Sequence, residues 1–152
     1  MIKIICIGKI KENFYKEAIE EYIKRIRKFT KIEIIELMDE KIEDKKVCLK
    51  KESKKIKEKI NKRDYLISLE IEGKNLNSIQ FAEKINDINL NSYNNIVFII
   101  GGSFGLDNSI KDITNYKLSF SKLTFPHQLF RIILLEQIYR SYKILNNEKY
   151  HK

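Results

Sequence analysis

The sequence predicts an α/β fold built on a parallel sheet. Apolar runs alternate with amphipathic or charged segments five times along the 152 residues, and residues 95–100, NIVFII, are apolar without interruption after Asn95. Alternating strands and helices are typical of parallel sheets, and an unbroken apolar strand is typical of a sheet covered on both faces. Because no repeat or linker divides the chain, we expect one domain over residues 1–152.

Five apolar runs have the length and composition of strands. The predicted strands are residues 2–8, 32–38, 65–71, 95–100 and 118–124. We expect Glu72, Gly73 and Lys74 to form a turn after the third strand, and Gly101 to end the fourth.

The segments between these strands have helical periodicity or helix-capping signals. The predicted helices are residues 13–29, 44–62, 77–88, 108–115 and 126–146. The second is so rich in lysine that only Val47, Leu49, Ile56 and Ile60 offer a buried stripe. Asn77 and Gln80 have the spacing of a capping box, which predicts the start of the third helix. Pro126, the only proline, suits the first turn of the last helix.

The composition favours an anionic partner. The net charge is +9, and residues 117–152 hold seven Lys or Arg residues against two acids. Nucleic acid is the usual partner of such a chain, although charge by itself indicates attraction and not function. The same segment contains both histidines, so the excess charge lies where the candidate chemistry lies.

Several other classes of protein are disfavoured. Cys6 and Cys48 lack CxxC spacing and a nearby histidine, which fits a reduced cytosolic protein without a metal site. Lys3 and Lys9 interrupt the first apolar run, so we expect no signal peptide. No run approaches the ~18 apolar residues of a membrane span. We therefore expect a cytoplasmic protein.

Ligands of parallel sheets bind beyond the carboxyl ends of the strands. That rule selects the loops after Ile71, after Ile100, and between Thr124 and His127. The second of these loops, Gly-Gly-Ser-Phe-Gly at residues 101–105, lets the backbone approach a ligand and offer it amides. A tight turn that only needs positive φ is an equally good interpretation at this stage.

The last helix and the tail hold the remaining candidates. Glu136 and Arg140 are four residues apart and share one helix face, either as part of a site or as a surface ion pair. His127 begins the same helix ~13 Å away along the axis, where it can bind an anionic or ribose group or simply face solvent. Tyr150 and His151 near the end combine an aromatic ring with a group that titrates near neutral pH; a frayed tail is the alternative.

These segments resemble the ribosomal large-subunit RNA methyltransferase H family of the SPOUT superfamily, the 23S rRNA pseudouridine-N3 methyltransferases. The resemblance covers the whole chain and is most specific in IIGGSFGL at residues 99–106, in residues 118–144, and in the terminal YHK. It implies a SPOUT-type α/β fold with a C-terminal trefoil knot. It also implies S-adenosylmethionine as cofactor, a homodimer, and 23S rRNA of the assembled ribosome as substrate.

The resemblance also implies roles for individual residues. The cofactor is expected to contact Leu69, Gly101, Phe120, Ser121, Lys122, Leu123, Thr124 and Phe125. His127 and Lys152 are the expected substrate-binding residues. Lys152 stands where arginine is common in the family, which puts a bidentate phosphate contact in doubt.

The expected catalytic residues are Glu136, Arg140, Tyr150 and His151. The methyl group of the cofactor's sulfonium is already electrophilic, so the enzyme must align it with N3 of pseudouridine and help to remove the N3 proton. His151 is the hypothetical base, Tyr150 positions the nucleobase, and Glu136 and Arg140 organise the pocket. The alternatives are a non-catalytic basic module that binds ribosomes or RNA, and a SPOUT methyltransferase acting on a different nucleotide.

Overall fold

A computed structural model describes residues 1–152 and contains one five-stranded sheet of order β2-β1-β4-β3-β5, in which every pairing is parallel. The predicted α/β class with a parallel sheet is therefore confirmed. The strands are β1 (Ile2–Ile7), β2 (Ile32–Leu37), β3 (Asp64–Asn75), β4 (Asn95–Ile100) and β5 (Tyr116–Ser119). The helices are α1 (Asn13–Ile26), α2 (Lys45–Lys57), α3 (Ser78–Leu90), α4 (Asn108–Lys111) and α5 (His127–Leu145). None of them has the length and apolar character that a membrane-spanning helix requires.

Helices cover the two faces of the sheet unequally. Successive side chains of β1 and β4 point to opposite faces, so each strand contributes to two cores. The larger core has 19 buried residues and lies under α1, α3 and α5, whereas the smaller has nine and lies under α2 and α4. We call these the α5 face and the α2 face.

Two strand predictions were wrong. β3 continues through the expected turn to Asn75, because Leu69 and Lys74 both pair with Leu118 and the residues between them form a bulge. A Cβ on Gly73 would lie 2.7 Å from the backbone carbon of Leu118, so this close approach requires glycine. β5 ends at Ser119, five residues before the predicted end, because its hydroxyl donates to the carbonyl of Ser121 and the chain turns away from the sheet.

The helix predictions were wrong mainly at the ends. α1 stops at Ile26, α2 at Lys57 and α4 at Lys111, each followed by a turn. Ile56 is buried as predicted, but Val47 is 45% exposed, and α2 also buries Cys48, Glu52 and Ser53. The capping box of Asn77 and Gln80 is confirmed. Pro126 is the N-cap residue, one position before the first turn of α5.

Candidate active site

The three loops at the carboxyl edge of the sheet enclose a first cavity of about 190 Å³. Of the residues expected to contact the cofactor, Leu69, Gly101, Phe120, Ser121, Leu123, Thr124 and Phe125 line it. Lys122 does not line it; this side chain is exposed in the same loop. The walls are mostly apolar and aromatic, and the carboxylate-bearing residue Glu70 also lines the cavity.

The glycine loop after β4 is both a tight turn and a cavity wall. The amide of Gly105 donates to the carbonyl of Gly102 at 3.0 Å, and Gly105 has a φ of +78°, a conformation that favours glycine. A Cβ on Gly101 would lie 2.3 Å from the Gly105 carbonyl oxygen. All three glycines line the first cavity. The two interpretations of this loop are therefore compatible.

His127 lies on the wall of the first cavity, at the start of α5. A Cβ on Gly8 would lie 3.2 Å from Cε1 of its ring, so the turn after β1 packs closely against the imidazole. Partial burial lowers the pKa of His127, and the positive charges of Arg131 and Lys11 lower it further, against an opposing effect of Asp39. The imidazole is therefore mostly neutral at pH 7, able to donate from one nitrogen and accept at the other.

The four expected catalytic residues form one cluster, which we call the Glu136 cluster. Oε1 of Glu136 accepts from Nη2 and Nε of Arg140 at 2.6 and 3.0 Å, and from the hydroxyl of Tyr150 at 3.1 Å. The Arg140 guanidinium lies 4.7 Å from the centre of the Tyr150 ring, which packs edge-on against Tyr139 at 5.0 Å. The tail is therefore held by a hydrogen bond and by aromatic packing.

The cluster changes the proton affinity of its members. The hydrogen bond to Glu136 raises the pKa of Arg140. Burial raises the pKa of Tyr150, and the Glu136 charge raises it further. Tyr150 therefore keeps its proton at neutral pH and can only serve Glu136 as a donor. This geometry favours a positioning role for Tyr150 over proton removal.

His151 connects the cluster to a second cavity of about 580 Å³. Its Nδ1 lies 3.3 Å from Nη1 of Arg140. Arginine has only donors, so Nδ1 accepts in this contact, and the neutral ring then carries its hydrogen on Nε2. Leu118, Phe120 and Phe125 line both cavities, so the two are adjacent. Lys152 is exposed and makes no ion pair.

His127 thus lies at the start of α5, whereas the Glu136 cluster is formed by the second half of α5 and by the tail. His127 faces the first cavity and His151 the second. The shared walls between the cavities are apolar. The arrangement suits a ligand in the first cavity whose reactive end points toward a second ligand in the next one.

Comparison with known proteins identifies the family of this chain. Residues 1–151 match the family described as "Predicted SPOUT methyltransferase". The chain belongs to the SPOUT methyltransferase family. It is 50% identical to the ribosomal RNA large subunit methyltransferase H of Streptococcus suis and 48% identical to that of Clostridium tetani, covering 99% of this chain and of each relative. SPOUT membership implies the trefoil knot expected in the C-terminal part.

A solved structure supports the same fold. The chain has a TM-score of 0.62 to a probable methylase family protein from Haemophilus influenzae Rd KW20, covering 99% of this chain and 70% of that one. The two sequences are only 14% identical, so this likeness concerns the fold alone. The fold is therefore shared beyond close relatives.

Sequence reasoning missed three polar residues of this SPOUT site. Arg131 is fully buried; its guanidinium pairs with Glu36 at 2.7 Å and donates to the carbonyl of Gly8 at 2.7 Å. Gln137 donates to Glu136 at 2.7 Å and accepts from the Ser78 hydroxyl at 2.8 Å. Glu70 lines the first cavity. A charged residue inside the apolar run of α5 was the available signal for Arg131.

Proposed function

We propose that this methyltransferase transfers the methyl group of S-adenosylmethionine to N3 of a pseudouridine in 23S rRNA of the assembled ribosome. The close relatives named above carry a name that specifies large-subunit ribosomal RNA. The observation that carries the proposal is the adjacency of two cavities, one walled by the glycine loop and the other by His151. Action on ribosomes makes the protein cytoplasmic.

The first cavity fits S-adenosylmethionine chemically. Because Gly101 has no side chain, its backbone forms part of the cavity wall. A Cβ at this position would collide with the backbone of Gly105. Leucine and phenylalanine walls suit an adenine ring. When bound, the cofactor supplies an electrophilic methyl on its sulfonium. Residues 120–125, other than Lys122, would hold it together with Leu69 and Gly101.

The Glu136 cluster would position the target nucleotide in the second cavity. Glu136 fixes Arg140 through two hydrogen bonds and Tyr150 through one, so each is preorganised before RNA binds. Arg140 and the tail then offer cationic and aromatic contacts to a nucleotide. His127, at the wall of the first cavity, and the exposed cation of Lys152 are the proposed further substrate contacts.

His151 remains our candidate for removing the N3 proton. Its contact with Arg140 is long, at 3.3 Å, and exposed, so an incoming nucleotide can replace it. Once released, Nδ1 has a free lone pair for the proton, while Nε2–H can donate to a carbonyl of the nucleobase. Replacing His151 with alanine should then lower the single-turnover rate at saturating ribosomes, by about a hundredfold or more for a general base. If the alanine variant keeps the full single-turnover rate, His151 is not the base that removes the N3 proton.

A homodimer is part of the proposal. Large apolar side chains at the rims of the two cavities are exposed: Leu123 by 71%, Ile71 by 50% and Ile79 by 48%. A second copy would cover them, and its tail could close over the neighbouring cofactor cavity. Sedimentation should therefore find a dimer in the active preparation. A stable, fully active monomer would contradict this arrangement.

Mass spectrometry of rRNA tests the function directly. Ribosomes from a strain lacking the gene are incubated with the protein and labelled S-adenosylmethionine, and 23S rRNA fragments are then analysed. We expect one additional methyl group on one pseudouridine at N3. A methyl group elsewhere would favour a different target nucleotide. The absence of methylation, together with calorimetry that detects no S-adenosylmethionine binding, would favour a non-catalytic RNA-binding module.

A further inference from the structure

A groove of about 1080 Å³ lies on the α2 face, between α2 and the start of α4. None of the expected site residues lines it. Its lysines are Lys45, Lys46, Lys50, Lys54, Lys57 and Lys111. Only two acids, Glu58 and Asp107, share the groove. We call this surface the lysine groove.

Most of its positive charge is unpaired. The five α2 lysines that line the groove make no ion pair, and all five side chains are exposed. Lys111 pairs with Glu70 at 3.6 Å. Asp107 is already engaged, because its carboxylate accepts from the amide of Ser109 and caps α4. Most lysines of the groove therefore have no acidic partner within the protein and are available to an anionic ligand.

The arrangement of these lysines is unfavourable for the isolated helix. Lys45 and Lys46 lie in the first turn of α2, at the positive end of the helix dipole, where the only compensating carboxylate is that of the N-cap residue Asp44. Lys46, Lys50 and Lys54 repeat every four residues, so like charges are neighbours on one side of the helix. An anionic partner along this row would turn the repulsion into attraction. Four residues rise ~6 Å along the helix, a spacing that suits successive charges of an extended polyanion.

Phe104 connects the groove to the cofactor cavity. It lies in the glycine loop, is 40% exposed and lines the lysine groove, while Gly101, Gly102 and Gly105 of the same loop line the first cavity. An exposed aromatic ring beside a basic groove is the combination that binds single-stranded nucleic acid, by stacking on bases and pairing with phosphates.

We propose that the lysine groove binds the phosphate backbone of the substrate RNA outside the target nucleotide, with Phe104 stacking on a base where the strand passes the glycine loop. This inference rests on the proposed function, because the RNA is the same 23S rRNA. It assigns the α2 face to substrate capture and leaves methyl transfer to the α5 face. The groove then sets affinity for the ribosome and not the rate of the bound complex.

The test compares two triple variants with the same change in charge. Lys46→Gln, Lys50→Gln and Lys54→Gln together alter the groove. Lys24→Gln, Lys28→Gln and Lys31→Gln alter exposed, unpaired lysines in α1 and between α1 and β2, none of which lines the groove. We expect the groove variant to raise the KM for ribosomes about tenfold and to reduce the slope of log affinity against log salt by about two. The control should change both much less.

Binding to protein-free 23S rRNA distinguishes a failure of the groove proposal from a failure of the proposed methyl transfer. We expect the groove variant to bind this RNA about tenfold more weakly than the control does, even if no methyl group is transferred. Equal losses in both variants would overturn the proposal, because net charge alone would then explain them. A loss on ribosomes without a loss on protein-free RNA would also overturn it, in favour of a ribosomal protein as partner.

The aromatic contact has its own variant. Phe104→Leu keeps an apolar side chain and removes the flat ring, and we expect it to weaken RNA binding about fivefold. Calorimetry with S-adenosylmethionine, in the groove variant and in the wild type, should give the same dissociation constant. If Phe104→Leu leaves RNA binding unchanged, the stacking contact does not exist.

Discussion

Charged side chains are arranged differently on the two faces of the sheet. On the α5 face two arginines of α5 are partly or fully buried and pair with carboxylates, Arg131 with Glu36 and Arg140 with Glu136. On the α2 face seven lysines lie within the 13 residues of α2, above a core less than half as large. Charges held in fixed geometry suit chemistry, whereas mobile, exposed charges suit electrostatic attraction. Substitutions should therefore affect turnover and stability on the first face, and substrate affinity on the second.

The largest effect is expected from Arg131→Leu. This change removes the Arg131 donor from two buried carbonyls at the end of β1 and from the Glu36 carboxylate, which keeps only the amide of Ile10. Breaking such a buried pair typically costs 3–5 kcal/mol; since Glu36 is partly exposed, we expect about 3 kcal/mol in the free energy of unfolding by urea. Lys54→Gln on the α2 face should change it by less than about 0.5 kcal/mol. Equal effects would remove the contrast between the faces.

Glu136→Gln should lower kcat about a hundredfold. The carboxylate organises both Arg140 and Tyr150, and small displacements of positioning groups have effects of this size. The matched control is Glu148→Gln, which removes a carboxylate beyond the end of α5 that pairs with Lys143 in the last turn of this helix. Steady-state kinetics on ribosomes measures both. A Glu136→Gln enzyme with full kcat would show that the cluster does not organise the reaction.

Gly101→Ala should weaken S-adenosylmethionine binding about tenfold or more. The new Cβ would lie 2.3 Å from the Gly105 carbonyl oxygen, so the loop must move out of its present conformation. A displacement that removes one or two ligand contacts costs about 1.4 kcal/mol or more, which is tenfold in affinity. Ser103→Ala, an exposed position in the same loop, is the control. If calorimetry finds the same affinity for S-adenosylmethionine in Gly101→Ala as in the wild type, the glycine loop does not contribute to cofactor binding.

The smallest effect is expected from His127, which should make the stability of the folded protein depend on pH. Its folded pKa lies below the ordinary value of ~6.5, so the unfolded chain takes up the proton more readily. The contribution of the neutral ring to stability is therefore complete above the ordinary pKa and is lost as the pH falls through the lower folded pKa. NMR titration should find a midpoint below ~6.5, and His127→Gln should lose less stability on acidification than the wild type. A midpoint at or above the ordinary value would contradict the partial desolvation of this ring, which lies against the turn after β1.

The sequence predicted the features that depend on local patterns. The apolar run of β4, the capping box of α3 and the cavity-lining loops at the carboxyl edge all follow from residue types and spacing. It did not predict the bulge in β3, because the need for Gly73 arises only from the close approach of Leu118, far along the chain. Composition favoured a frayed tail, whereas contacts of Tyr150 with Glu136 and Tyr139 hold it.

The helix errors have a related cause. Val47 and Cys48 are neighbours on α2, and only the packing against the sheet decides that the cysteine is buried and the valine exposed.

Burial raises the pKa of the Cys6 thiol to about 12 and that of the Cys48 thiol above its ordinary value. Both thiols should therefore react slowly with thiol reagents until the protein is unfolded.

Steady-state kinetics on ribosomes, with Glu136→Gln and the Lys46, Lys50 and Lys54 triple variant measured side by side, tests the division between the faces most directly. We predict that Glu136→Gln lowers kcat about a hundredfold with little change in the KM for ribosomes. The triple variant should raise that KM about tenfold with kcat unchanged. If both variants change the same parameter, the two faces do not have separate roles and this account is wrong.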